Sequence, residues 1–327
     1  MKLPFEIRNT ALLIKKEAEI NTSFGKRPED QTAKERLENG VICLNKPAGP
    51  TSHQVSDYVQ RVLEIQKSGH GGTLDPMVTG VLPVALGKGT RILQALLDAG
   101  KEYVGVLHLH EEVQESLIHK TAKEFVRTIT QLPPLRSAVK RQKRERKIYY
   151  LEVLEIKGKN ILFKVGCQAG TYIRTLCVDW SKAMKVNGHM AQLLRTKAAS
   201  FNDKEWYSLH DLKDAYEEYK LGNEEELKKI ILPAEAIVRH LPKIYVSDTT
   251  VDTLCHGADL SVPGIVSLEK SITKGKRIAI LSLKGELIAL GNVLEDAETL
   301  YKQERGKAVL TDKVFMEPNT YPKFIKK

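Results

Sequence analysis

Cysteine is scarce: Cys43, Cys167, Cys177 and Cys255 are the four in 327 residues, far apart and with no C-x-x-C pair. Neither a zinc site nor a disulfide scaffold is signalled, and the thiols read as free and buried. Long apolar runs are missing as well. A spanning helix needs roughly 20 apolar residues, and the stretch IAILSLKGELIALG is broken by Lys284-Gly285-Glu286. The N-terminus, MKLPFEIRNTALLIKK, carries Glu6 and Arg8 where a secretory signal would hold its apolar region, so an intracellular, cytoplasmic protein is expected. Nucleotide-binding loops are absent too. A Walker loop ending at Gly87-Lys88 would need glycine where Leu82 stands, and Gly89 follows the lysine. A dinucleotide fingerprint in GHGGTLDP is interrupted by Pro76. No internal repeat of solenoid length is visible.

What is present is the balance of a folded soluble chain, with 42% hydrophobic and 28% charged residues. Its length leaves room for two domains. Lys and Arg number 51 against 41 Asp and Glu, a formal charge of +10, which favours a polyanionic partner. Nucleic acid fits better than a membrane surface, given the missing apolar runs.

Residues 1–38 are polar and charged, with the loop-like NTSFGKRPEDQT, and a folded unit begins near Asn39 with the strand VICLNK and a Pro/Gly turn. Val55, Tyr58, Val59, Val62 and Leu63 then recur at helical spacing behind the caps Thr51 and Ser52. EYVGVLHLH, KIYYLEVLEI and NILFKVG read as strands, the last two joined at Lys157-Gly158-Lys159. Between them Ala122, Phe125, Val126 and Ile129 have helical spacing, as do segments at 209–219 and 223–239. Clustered strands joined by short turns predict an α+β fold. A second boundary falls near His240. Beyond Lys243, short strands separated by glycines read as a small β-barrel, with Lys284-Gly285 as a two-residue hairpin loop. His108 and His110 share a strand face and read as a surface pair.

Three stretches can carry chemistry, each against a plainer reading. Asp75, before Pro76 and after a glycine-rich approach, is a turn residue or a catalytic carboxylate, for which a partner must set its geometry. In CQAGTYIRTL, Tyr172 and Arg174 stand at i and i+2 on one face of an extended segment. They are a structural tyrosine and a surface ion pair, or a ring and guanidinium receiving a flat polar base. The run from Lys140 to Lys147 packs six cations into eight residues, including Arg141, Lys143 and Arg144. It is a solvated face or, as the better reading, a phosphate-binding one.

At these residues the chain resembles the pseudouridine synthases of the TruB and dyskerin class. LNKPAGPTSHQV is similar to the family's first motif, GHGGTLDPMVTGVLPVALGKGTR to its catalytic motif, KEYV to its tyrosine motif, and AGTYIRTL and HMAQLLRT to its later ones. GGTLDP, PPLRSAVKR and IYYLEVLEI are nearer the archaeal and eukaryotic dyskerin type. CHGADLSVPGIV with LKGELIALG resembles a PUA domain, a small RNA-binding barrel. The resemblance implies a mainly antiparallel mixed-sheet catalytic domain over 39–240 and a PUA domain over 241–327, with residues before about 35 returning to pack on the latter.

It also implies conversion of uridine to pseudouridine in RNA without a cofactor. Asp75 matches the catalytic aspartate, and Tyr103 is implied to stack on the uracil. Arg174 is implied to pair with Asp75, and Tyr172 and Leu193 to line the pocket. His70 and Lys46 match family positions in the substrate pocket or near the fold of the first motif. His256, Gly257, Ala258 and Gly264 fall in the PUA segment as candidate RNA contacts, beside Lys140, Arg141, Lys143 and Arg144. Relatives usually carry a glycine near Ser181 and Gly-Ala near Asn187-Gly188, where this chain departs. The end at FIKK lacks the long basic extension of nuclear members, an archaeal trait. The leading expectation is the catalytic subunit of an H/ACA guide-RNA particle acting on rRNA with small protein partners. A stand-alone enzyme for the TΨC loop of tRNA is the alternative, and a non-catalytic RNA scaffold a third.

Overall fold

The computed structural model describes residues 1–132 and 142–323, so Lys140, Arg141, the PPLRSAV stretch and the FIKK tail lie outside the described residues. In the larger sheet the strands run in the order Ile231–Leu232, Val41–Lys46, Thr79–Leu86, Gly188–Ala198, Lys101–Leu109, Asn160–Cys167, Arg144–Lys157 and Thr128–Gln131. Neighbours are antiparallel except at the centre, where Thr79–Leu86 and Gly188–Ala198 run parallel through Thr79↔Leu194 and Gly80↔Arg195 alone. Gly80 makes that junction possible. Its φ is +107°, and a Cβ there would sit 2.3 Å from the Arg195 carbonyl oxygen. The cleft described below opens beside this seam, with Leu193 and Arg195 in its lining.

Each half has its own apolar cover. On one, the helices Glu115–Glu124 and Ile173–Ala183 bury Ile118, Leu176 and Trp180 against Phe163 and Ile148. Trp180 stands edge-on to Phe163 at 5.9 Å and donates its ring N–H to Thr121 Oγ1 at 2.9 Å, so its polar tip is satisfied inside the core. Burying Phe163 alone contributes roughly 1.5–3 kcal/mol. On the other half, the helices Ser52–Leu63 and Leu209–Lys220 bury Val55, Val59 and Leu212 against Leu44 and Leu82. Thr51 caps the first of these, its side chain accepting from the Gln54 N–H.

The smaller sheet runs Leu12–Ile14, Ile265–Glu269, Lys243–Val246, Arg277–Leu281, Leu287–Val293, Lys307–Val314 and Leu260–Ser261. The first strand comes from the N-terminal segment, with Leu13 opposite Leu268. The two sheets share an apolar cluster in which Leu281 and Leu290 pack with Val81, Leu96 and Phe201. The four cysteines are free and buried, and burial pushes their thiols up to about 12.

Several sequence expectations change. The helix expected through Ile129 ends at Glu124, because Thr128, Ile129 and Thr130 are β-branched and Thr128–Gln131 pairs with Arg144–Lys147. The 223–239 segment is a helix only over Glu225–Ile230; the chain then extends as the strand Ile231–Leu232, paired with Val41 and Ile42, and a 3-10 turn follows Pro233 at Ala234–Val238. The Lys284-Gly285 hairpin has a three-residue loop, Leu283 to Gly285, closed by the Ser282 N–H donating to the Glu286 carbonyl at 2.9 Å. At the departure near Ser181, the helix Ile173–Ala183 ends with Lys185 left-handed at φ +62°. His108 and His110 are joined by His189 from the neighbouring strand, His110 Nε2 lying 3.2 Å from His189 Nδ1. Even so, among the described residues no group of three or more His, Cys, Asp or Glu side chains is arranged to hold a metal ion.

His240 sits where the N-terminus and both sheets meet, edge-on to Phe5, and donates from Nε2 to the Ala95 carbonyl at 2.9 Å. Burial pushes it down to about 4, with the Ala95 bond opposing. As pH falls through 6.5 the unfolded chain takes up this proton and the folded chain does not until about 4. The contribution is therefore complete above pH 6.5 and lost below it, by about 3 kcal/mol at pH 4. His240→Gln keeps a donor but cannot titrate, so its melting temperature should depend less steeply on pH between 6.5 and 4. An unchanged slope in thermal melts would contradict this.

Candidate active site

Asp75 lies in a tight turn whose Val78 N–H donates back to the Asp75 carbonyl at 3.0 Å. Leu74 and Val78, each 4% exposed, anchor the turn on either side and leave the carboxylate outward. Two residues of LNKPAGPTS hold it from below. Lys46, fully buried, donates from Nζ to the carbonyls of Pro47, Pro76 and Val78 at 2.8, 2.9 and 3.0 Å. Ser52 Oγ accepts from the Leu74 N–H at 2.8 Å and donates to the Leu74 carbonyl at 3.2 Å. Lys46 is thus not in the substrate pocket, because a buried ammonium needs all its protons satisfied and these carbonyls supply the acceptors.

Arg174 meets Asp75 as a fork, Nε 2.9 Å from Oδ2 and Nη2 3.3 Å from Oδ1. Such a two-pronged contact fixes direction as well as distance. Tyr172 and Arg174 do not lie on an extended segment. Tyr172 is the N-cap of the Ile173–Ala183 helix and Arg174 is in its first turn, because Gly170, at φ +76°, redirects the chain straight into the helix. The helix then projects Arg174 toward the Asp75 turn.

These side chains border one cleft of about 570 Å³, whose lining includes Asp75, Tyr103, Tyr172, Arg174 and Leu193. That size suits a single nucleoside. Tyr103, from Lys101–Leu109, has its hydroxyl pushed up by burial, with Arg195 opposing, so it stands protonated at neutral pH. Arg195, 1% exposed, donates to Val81 O at 2.7 Å and Gly72 O at 3.1 Å and also bonds Tyr103. Lys101 donates to the carbonyls of Leu96, Leu97 and Ala99 at 2.9, 2.9 and 2.7 Å and holds that rim of the cleft. Sequence reading missed Arg195 and Lys101, though their positions in HMAQLLRT and KEYV were the available signal.

His70 is outside the cleft lining; it is packed against His53 at 4.7 Å and pushed down to about 4 by burial. Lys143 is exposed and Arg144 begins the Arg144–Lys157 strand beside the cleft's Gln168–Thr171 border. His256 and Gly257 follow the helix Asp248–Cys255 in the smaller-sheet unit, the Ala258 carbonyl accepts from Thr311 Oγ1 at 2.8 Å, and Gly264 packs against Thr250. None of these four lines the cleft.

A carboxylate aimed by a guanidinium at the mouth of an aromatic and apolar cleft, on a basic two-sheet protein, is the site of an enzyme acting on a flat polar group. Residues 60–173 match the TruB family pseudouridylate synthase N-terminal domain and 174–239 the tRNA pseudouridylate synthase B C-terminal domain. Residues 242–315 match the PUA domain and 1–56 the DKCLD domain. A probable tRNA pseudouridine synthase B of Methanopyrus kandleri is 50% identical over 98% of this chain and 95% of its own. One from Thermococcus onnurineus is 49% identical over 98% and 97%. A solved Cbf5–Nop10–Gar1 complex contains a chain 49% identical, with a TM-score of 0.94 over 98% of both chains. Another, of an H/ACA RNP bound to a substrate RNA containing 2'-deoxyuridine, gives 46% identity and a TM-score of 0.92 over 99% of this chain and all of that one. The chain belongs to the TruB family of pseudouridylate synthases.

Proposed function

We propose that the chain is the catalytic subunit of an H/ACA guide-RNA particle, isomerising uridine to pseudouridine in an RNA that a guide presents. The reaction breaks the N-glycosidic bond, turns the uracil and joins its C5 to the sugar, with the C5 proton released to water and N1 protonated. The observation that carries the reading is the Asp75–Arg174 fork at the cleft mouth. It aims a carboxylate at a target base drawn out of its stack, with Tyr103 under the ring and Tyr172 and Leu193 as apolar walls. Similarity over nearly the full length to chains in the Cbf5–Nop10–Gar1 and H/ACA RNP structures supports the particle and its small protein partners. Residues 39–240 form the catalytic domain, 241–327 the RNA-gripping PUA domain, and 1–38 an arm packed on it; the enzyme works in the cytoplasm.

A second reading, independent action on tRNA, is favoured by the names of the curated relatives. Tritium release from 5-tritiated uridine separates the two. Protein alone, and protein with guide RNA and partners, are each given a tRNA transcript and a guide-paired target. Release from the paired target only in the full mixture is the expected result; release from tRNA by protein alone establishes the second reading. A further expectation concerns Lys143 and Arg144. Replacing both with Ala should flatten the salt dependence of RNA affinity by roughly one to two units of log–log slope, since each phosphate contact releases counterions. An unchanged slope would remove this stretch from the RNA interface.

A further inference from the structure

Gln131 is 2% exposed, yet among the described residues its side chain bonds no other side chain of its own hairpin. Its amide instead grips the backbone of Tyr172 from both sides. Gln131 Nε2 donates to the Tyr172 carbonyl at 3.1 Å, and the Tyr172 N–H donates to Gln131 Oε1 at 3.0 Å. The side chain thereby bonds this stretch of backbone as a neighbouring strand would. The surrounding contacts tie the same two pieces of chain together. Gln168 N donates to the Lys147 carbonyl at 2.8 Å, and Lys147 N donates to Gln168 Oε1 at 3.1 Å. The Arg146 guanidinium lies so close over Gly170 that a Cβ there would meet its Nε at 3.0 Å.

We propose that Gln131 is a positioning residue for the reaction: it fixes Tyr172, and through the helix that Tyr172 caps the Arg174–Asp75 fork, to the cationic hairpin of Thr128–Gln131 and Arg144–Lys147. Three facts carry the inference. The Tyr172 carbonyl already accepts the first helical bond, from Leu176 N at 3.0 Å, so the Gln131 amide sets where that helix begins. Arg174 follows within one turn, and a shift of the helix start is a shift of the guanidinium that aims Asp75. The hairpin that carries Gln131 also carries Arg144, Arg146 and Lys147, so RNA held on those cations bears on the same backbone. Gln131 touches no reacting atom; it acts through Tyr172.

The proposal rests on the pseudouridine synthase reading, so the test has one readout that does not need activity. Gln131→Met keeps the length and removes the amide; Gln131→Asn keeps the amide but withdraws it by one methylene, too far to serve both Tyr172 groups. Each variant is assembled as the wild type is, and single-turnover rate, RNA affinity, thermal melting and amide hydrogen exchange are measured. The expected result is a rate lower by about 10- to 100-fold with affinity within about twofold. Amide exchange should quicken in the segment around Tyr172 while remaining near wild type elsewhere. Unchanged rate in both variants overturns the proposal. So does a rate loss matched by weaker binding, lower melting and faster exchange throughout, which marks a merely structural residue. If Gln131→Met does not fold, Gln131→Asn decides alone. A wild-type particle without activity removes the functional reading, while local exchange still reports whether Gln131 holds Tyr172.

Discussion

Asp75→Asn protein is expected to bind its RNA within about twofold of wild-type affinity and melt at nearly the same temperature, while its single-turnover rate falls by about 10⁴-fold. The substitution exchanges one carboxylate oxygen for an amide nitrogen and leaves the turn's backbone bonds, the Lys46 and Ser52 supports and the Leu74 and Val78 anchors as they are. The Asp75 side chain is 47% exposed and Arg174 42%, so losing their attraction costs the fold little. What is lost is the chemistry: an amide is neither a nucleophile nor a base, and its nitrogen presents hydrogens to a guanidinium that has only hydrogens to offer. Single-turnover assays, filter binding and melting curves measure the three quantities separately. A residual rate above about one per cent would contradict the assignment of Asp75 as the catalytic carboxylate.

Lys46→Met is expected to behave differently, losing stability and rate together. Met matches the length of the lysine stem but offers no donor to the carbonyls of Pro47, Pro76 and Val78, which lie inside the protein. Stranding buried acceptors that a cation had satisfied costs about 3 kcal/mol, and melting should fall by roughly 5 °C or more. The turn bearing Asp75 loses the strut beneath it, so the rate should fall by about 100-fold. RNA affinity should change little, because Lys46 is fully buried. Unchanged melting with weakened binding would show instead that the ammonium reaches the substrate.

The parts of the site that could be read from sequence are those announced within a few residues. GGTLDP and AGTYIRTL put Asp75, Tyr172 and Arg174 in distinct local settings, the family resemblance added Tyr103 from KEYV and Leu193 from HMAQLLRT, and the structure gathers all five around one cleft. Alternation likewise marked Lys101–Leu109 as a strand. What escaped was non-local. Resemblance put Lys46 near the substrate, and only the folded chain brings the Pro76 and Val78 carbonyls, some 30 residues on, to its ammonium. Ile129 satisfies helical spacing as well as strand alternation, and only pairing with Arg146 decides between them. His189 joins His108 because two strands 79 residues apart in the case of His110 share a register, which no local pattern contains. The parallel seam at Gly80 and Arg195, beside which the cleft opens, is of the same kind.

The most direct test of the particle reading is to change the guide. Assembled particle is given two target RNAs and, in turn, two guide RNAs whose pairing segments each match one of them, and pseudouridine is mapped by position. The account predicts that the modified uridine moves with the guide and vanishes from both targets when Asp75→Asn protein is used. Modification that stays at one fixed uridine whichever guide is present, or that proceeds with no guide at all, would contradict it.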